Sequence, residues 1–106
     1  MTNSRQKGKR GERELANYLQ DAGLVARRGQ QHRGGPDSPD VICESLPWLH
    51  IECKRGQRLN LHDAMVQSVT EAPAGSVPVV MHRKNRQPWM VTMRIDDFLE
   101  LAKDAR

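Results

Sequence analysis

Glu52 and Lys54 sit two residues apart inside an apolar run, Trp48-Leu49-His50-Ile51-Glu52-Cys53-Lys54. That alternation constrains the fold more than any other feature of the chain. Side chains at i and i+2 of a strand leave the same face. As a strand, the run places Glu52 and Lys54 on one face and Leu49, Ile51 and Cys53 on the other, apolar one. Upstream, Pro36-Asp37-Ser38-Pro39-Asp40-Val41-Ile42 sets an acid at the start of a second strand-like run. If the two runs pair as a hairpin, the carboxylates of Asp40 and Glu52 converge. Two or three carboxylate oxygens plus water hold Mg2+ beside a phosphate. A neighbouring lysine suits a phosphate anion or an attacking water. Taken alone, Glu52 and Lys54 also read as an ordinary surface ion pair worth about 0.5 kcal/mol.

The rest of the chain supplies elements around this pair. Residues 1–7 are polar and basic without periodicity, and read as a flexible basic arm on a single domain spanning residues 1–106. From about Gly8 to Ala22 the pattern is helical, with Leu15, Tyr18, Leu19 and Ala22 on one stripe and Gly23 as the stop. Glu12 flanks that stripe and Arg13 points away from it. On its own, Glu12 reads as a complement to the helix dipole. Leu24 to Arg28 is a short strand. Gly29 to Ser38 is a loop rich in Gly, Gln and Pro, with Asp37 capping the turn. Asp40–Glu44 and Trp48–Lys54 are strands. Asn60 caps a helix to about Ala72, with an apolar stripe of Leu61, Ala64, Met65, Val69 and Ala72. Val77–His82 is a strand buried on both faces. Trp89–Met93 is the last strand, and a helix from Asp96 turns Phe98, Leu99 and Ala102 inward. The order α-β-β-β-α-β-β-α implies an α/β fold, a central mixed β-sheet flanked by helices.

Only 37% of the 106 residues are hydrophobic and 4% aromatic, so the core is thin and a homodimer would bury more surface. The formal charge is +4, and residues 1–35 carry eight Lys/Arg against Glu12, Glu14 and Asp21. A basic front half points to a polyanion partner; a solvated basic surface is the alternative. Cys43 and Cys53 lie in apolar runs and read as free buried thiols of a reducing cytoplasm. No apolar run is long enough to span a membrane. The histidines lack zinc-site spacing and read as surface or hydrogen-bonded residues. No nucleophile elbow and no phosphate-cradling glycine loop occurs.

Pro39-Asp40, eleven intervening residues, Glu52-Cys53-Lys54, and the helix start Gly11-Glu12-Arg13-Glu14-Leu15 together resemble the PD-(D/E)XK nuclease superfamily. Within it they look most like the small Holliday junction resolvases of archaea and phages. The resemblance covers roughly residues 8 to 93. It implies a restriction-endonuclease-like core and a divalent-metal-dependent endodeoxyribonuclease that cuts four-way or other branched DNA as a homodimer. Its setting would be the cytoplasm of a prokaryote or a phage-infected cell. It assigns Glu12, Asp40, Glu52 and Lys54 to catalysis; Glu14 is the neighbour that could be confused with Glu12. Asp40, Glu52 and the Cys53 carbonyl would hold Mg2+, or Mn2+ in its place, with Glu12 joining directly or through water. Lys9, Arg10, Arg13, Arg28, Arg33, Arg55, Arg58, Gln67, Arg83, Lys84 and Arg86 would meet DNA. Gln67 falls off its helix's apolar stripe, so a solvated surface glutamine is as good a reading. Alternatives are a nuclease of the same superfamily acting on linear, nicked or single-stranded DNA, and a DNA-binding accessory protein that does not cut.

Overall fold

The computed structural model describes residues 4–29 and 39–104. Its elements are α1 (Ser4–Asp21), β1 (Ala26–Arg28), β2 (Val41–Cys43), β3 (Leu49–Arg55), α2 (Leu61–Glu71), β4 (Val77–Arg83), β5 (Met90–Met93) and α3 (Ile95–Asp104). This is the order expected from the sequence. α1 begins at Ser4 rather than Gly8, so part of the expected irregular arm is helical; Arg, Gln and Lys are good helix formers that extend it. Most of the Gly29 to Ser38 loop, including Arg33 and Asp37, lies outside the described residues.

The strands form one sheet in the order β1-β2-β3-β4-β5. β3 and β4 are parallel and the other neighbours antiparallel. A parallel pair needs a long crossover, which α2 provides. The expected hairpin forms, with Val41 opposite Ile51. β4 is buried on both faces, Val79 and Val80 being fully enclosed.

α1 covers one face of the sheet. Leu15 and Ala16 pack there on Ala26, Val41, Cys43, Ile51 and Val79. The buried stripe of α1 is Gly11, Glu12, Leu15 and Ala16, while Tyr18 is 55% exposed. It is therefore rotated from the expected one, because the helix approaches β3 closely at Gly11. A Cβ there would stand 2.6 Å from the Arg55 Cβ. At its other end α1 stops in a Schellman arrangement. The Leu24 N–H bonds the Leu19 carbonyl, and Gly23, at φ +95°, bonds that of Gln20.

Side chains alternate across β3, so His50 and Glu52 face the side opposite Ile51, toward α2. Asn60 caps α2 as expected, accepting the Asp63 N–H at 3.0 Å. The buried residues of α2 are Ala64 and Ser68, and Val69 is turned out. Ser68 takes the expected place of Val69 because its hydroxyl bonds the Val79 carbonyl at 3.0 Å and that of His50 at 3.4 Å. α3 departs from expectation most. It has no buried residue, and Ile95, Phe98 and Leu99 are all exposed. It follows the edge strand β5 and has no second layer to pack against.

Candidate active site

Hairpin pairing brings Asp40 and Glu52 together. The Asp40 N–H bonds the Ile51 carbonyl at 2.9 Å, and the Asp40 carboxylate accepts the Cys53 N–H at 2.8 Å. The acid thus continues the β2–β3 ladder with its side chain, which holds it beside Glu52. Glu52 is 1% exposed, and neither of its carboxylate oxygens has a hydrogen-bond partner among the described residues. Burial, with the charge of Asp40 and the carboxyl of Glu71 beside it, pushes Glu52 up to about 7, against the opposing effect of His50.

Glu12 enters from α1 on the other face. It is buried and accepts from Arg28 Nε at 3.1 Å. Burial and the Asp40 charge raise its pKa despite Arg28. Glu14 is separated from it by its partners: Arg55 at 3.1 Å, and Arg83. Lys54 leaves β3 on the Glu52 face, half-buried, and makes no ion pair among the described residues. The same burial and the carboxylates around it raise the Cys53 thiol well above its ordinary value. Glu12 and Glu52 are thus both harder to ionise than free carboxyls, chiefly through burial. A desolvated carboxylate with open lone pairs beside a second, anchored one is a donor set suited to a hard divalent cation.

Of the expected DNA contacts, Lys9, Arg10, Arg13, Arg58, Lys84 and Arg86 are exposed. Arg28, Arg55 and Arg83 are engaged by Glu12 and Glu14. Gln67 is exposed and donates to Glu71 at 3.4 Å. A cleft of about 670 Å³ runs beside the start of α1, lined by Arg10, Glu14, Arg55, Arg58 and Asn85. Arg10, Arg55 and Arg58 give it a cationic rim of the kind that suits a sugar-phosphate backbone.

Sequence reasoning missed His50 and Glu71. His50 is 2% exposed, so it is not a surface histidine, and its Nε2 has no hydrogen-bond partner among the described residues. Among the described residues, His50, Glu52 and Glu71 offer ligand atoms within 4.8 Å of one another. The alternation that pairs Glu52 with Lys54 also puts His50 on their face; that signal was present. Glu71 comes from another element, and no spacing announces it.

A family model, the archaeal Holliday junction resolvase (Hjc), matches residues 3–104. Among solved structures, the Hjc Holliday junction resolvase of the archaeal hyperthermophile Archaeoglobus fulgidus is similar. Its TM-score is 0.62 at 30% identity, over 82% of this chain and 72% of that one. No curated protein matches the sequence significantly.

Proposed function

The chain belongs to the archaeal Holliday junction resolvase family, and we propose that it cuts phosphodiesters of four-way DNA junctions using a divalent cation, Mg2+ or Mn2+, at Asp40 and Glu52. The observation that carries this reading is Glu52, a buried carboxylate held next to Asp40 whose two oxygens have no hydrogen-bond partner among the described residues. The Cys53 carbonyl would complete the set, and Glu12 would join it directly or through water. When bound, such an ion polarises the scissile phosphate and acidifies the attacking water.

The chain's own residues do the rest. Asp40 is positioned by the Cys53 N–H, so its carboxylate does not have to be ordered when substrate arrives. Lys54, without an internal ion pair among the described residues, is available to orient the water or to offset charge growing on the phosphate. Arg10 and Arg58, on the rim of the neighbouring cleft, bind the backbone away from the cut bond.

A second copy of the chain completes the enzyme. A junction has two-fold symmetry and needs two active sites at a fixed spacing. Val91, Ile95, Phe98 and Leu99 are exposed apolar residues on β5 and α3, which supports placing the second copy there.

The test is cleavage of a four-way junction against duplex and flap DNA, with Mg2+ and with EDTA. Glu52→Ala and Lys54→Ala should each abolish cutting while junction binding persists. Wild-type rates in both variants, or cutting in EDTA, would sink the assignment.

A further inference from the structure

His50 and Glu71 join Glu52 in one cluster, and the junction chemistry proposed above requires neither of these two side chains. His50 precedes Glu52 on the same face of β3, and Glu71 is the last residue of α2. We propose that these three residues bind a later first-row transition cation, Co2+ or Zn2+, at a site that shares Glu52 with the Asp40 pair and is distinguished by its imidazole.

Geometry is the first argument. His50 Nε2 and Glu52 Oε1 are 3.8 Å apart. That is too long for a hydrogen bond. Two donors each about 2.1 Å from a shared ion stand about 3 to 4.2 Å apart, so the observed gap fits a metal-bridged pair. The third ligand atom, from Glu71, lies within 4.8 Å of both. A small rotation of this half-buried side chain closes the set.

The unpaired atoms are the second argument. The buried side-chain polar atoms without a partner among the described residues are His50 Nε2 and the two Glu52 oxygens. His50 Nε2 and Glu52 Oε1 face each other in the cluster that Glu71 joins. Buried polar atoms left unpaired cost about 1–3 kcal/mol each, and native folds rarely tolerate several together. One cation would satisfy His50 Nε2 and the Glu52 oxygen that faces it.

The position of Glu71 is the third. It ends α2, and no basic residue lies in the last turn. An acid at a helix C-terminus opposes the helix dipole, whereas a cation there is favoured by it. Gln67, donating to Glu71 at 3.4 Å, holds the carboxylate from outside, as partners of metal ligands commonly do. The mixed imidazole–carboxylate set selects the class of ion. Imidazole favours later first-row metals over Mg2+, which takes oxygen ligands and keeps its waters.

The site stands or falls independently of junction cutting, because its readout is binding. The probe is Co2+, titrated into the full chain and followed by its visible absorption, with competition by a chromophoric chelator. Wild-type protein should give bands distinct from aqueous cobalt. His50→Leu and Glu71→Gln should each weaken Co2+ binding about tenfold or more and change those bands. Asp40→Asn should keep the bands while losing junction cutting. If His50→Leu does not fold, Glu71→Gln, at a half-buried position, decides alone. Wild-type spectra in the variants at His50 and Glu71, or loss of the bands only in Asp40→Asn, overturns the proposal.

Discussion

Replacing Glu52 by glutamine isolates the free energy stored in one buried carboxylate. In the metal-free protein its pKa rises from an ordinary 4.5 to about 7, chiefly through burial. Between these values the unfolded chain has released the proton and the native state still holds it. The native state therefore binds more protons, and stability must fall as pH rises. The contribution is fully present below pH 4.5 and lost as pH passes 7. At about 1.4 kcal/mol per pH unit, the loss is about 3 kcal/mol. Glu52→Gln cannot make this titration. The stability difference, variant minus wild type, should therefore move by about 3 kcal/mol in the variant's favour between pH 4.5 and 8. Glu12, whose pKa is also raised, stays in both proteins and cancels to first order. The assay is urea unfolding in EDTA across that pH range. Adding Mg2+ at about 100 times its Kd should return about 2.7 kcal/mol to wild type above pH 7 and little to the variant. A stability difference that does not change with pH would refute the argument, since a carboxylate buried without partners must show this slope.

Three shorter predictions test other parts of the structure. Gly11→Ala puts a Cβ 2.6 Å from the Arg55 Cβ and should lower stability by about 1–3 kcal/mol, measured by urea unfolding, despite alanine's better helix propensity. Arg58→Ala, on the cleft rim, should weaken binding to all DNA shapes alike and reduce the slope of log K against log salt by about 1, measured by fluorescence anisotropy. With the proposed second copy docked on α3, Phe98→Asp, on a helix with no buried residue, should keep the far-UV circular dichroism and halve the mass seen by sedimentation.

The sheet and the Asp40–Glu52 neighbourhood are legible in the sequence because strand alternation is a local code. Residues 40–42 and 49–54 alternate strictly enough that register, once the hairpin forms, brings the two acids together. Helix faces are read less well. In α1 the stripe through Tyr18 looks as apolar as the true one. What decides the rotation is Gly11, the residue that lets the backbone come against Arg55. That rotation buries Glu12, so the position of this candidate site acid rests on a glycine one residue before it. For α3, an amphipathic pattern shows that a face seeks burial without saying what buries it. Phe98 and Leu99 satisfy the pattern and still face outward.

The same limit explains why His50 and Glu71 escape a reading of motifs. A motif records spacing along one element, and Glu52 to Lys54 is such a spacing. The His50–Glu52–Glu71 cluster is made by the crossover between parallel strands, which carries α2 back over the face of β3. Ser68 sets its register by bonding carbonyls of both β3 and β4. Three residues later, Glu71 is delivered beside His50 and Glu52, about one turn along the same helix face. Apolar periodicity alone favours Val69 over Ser68, and that choice swings Glu71 away from the sheet. The hydroxyl's demand for buried carbonyl partners outweighs one valine's burial. Bonds of this kind, strong in a dry interior and invisible to a hydrophobic pattern, decide where the second half of the site lies.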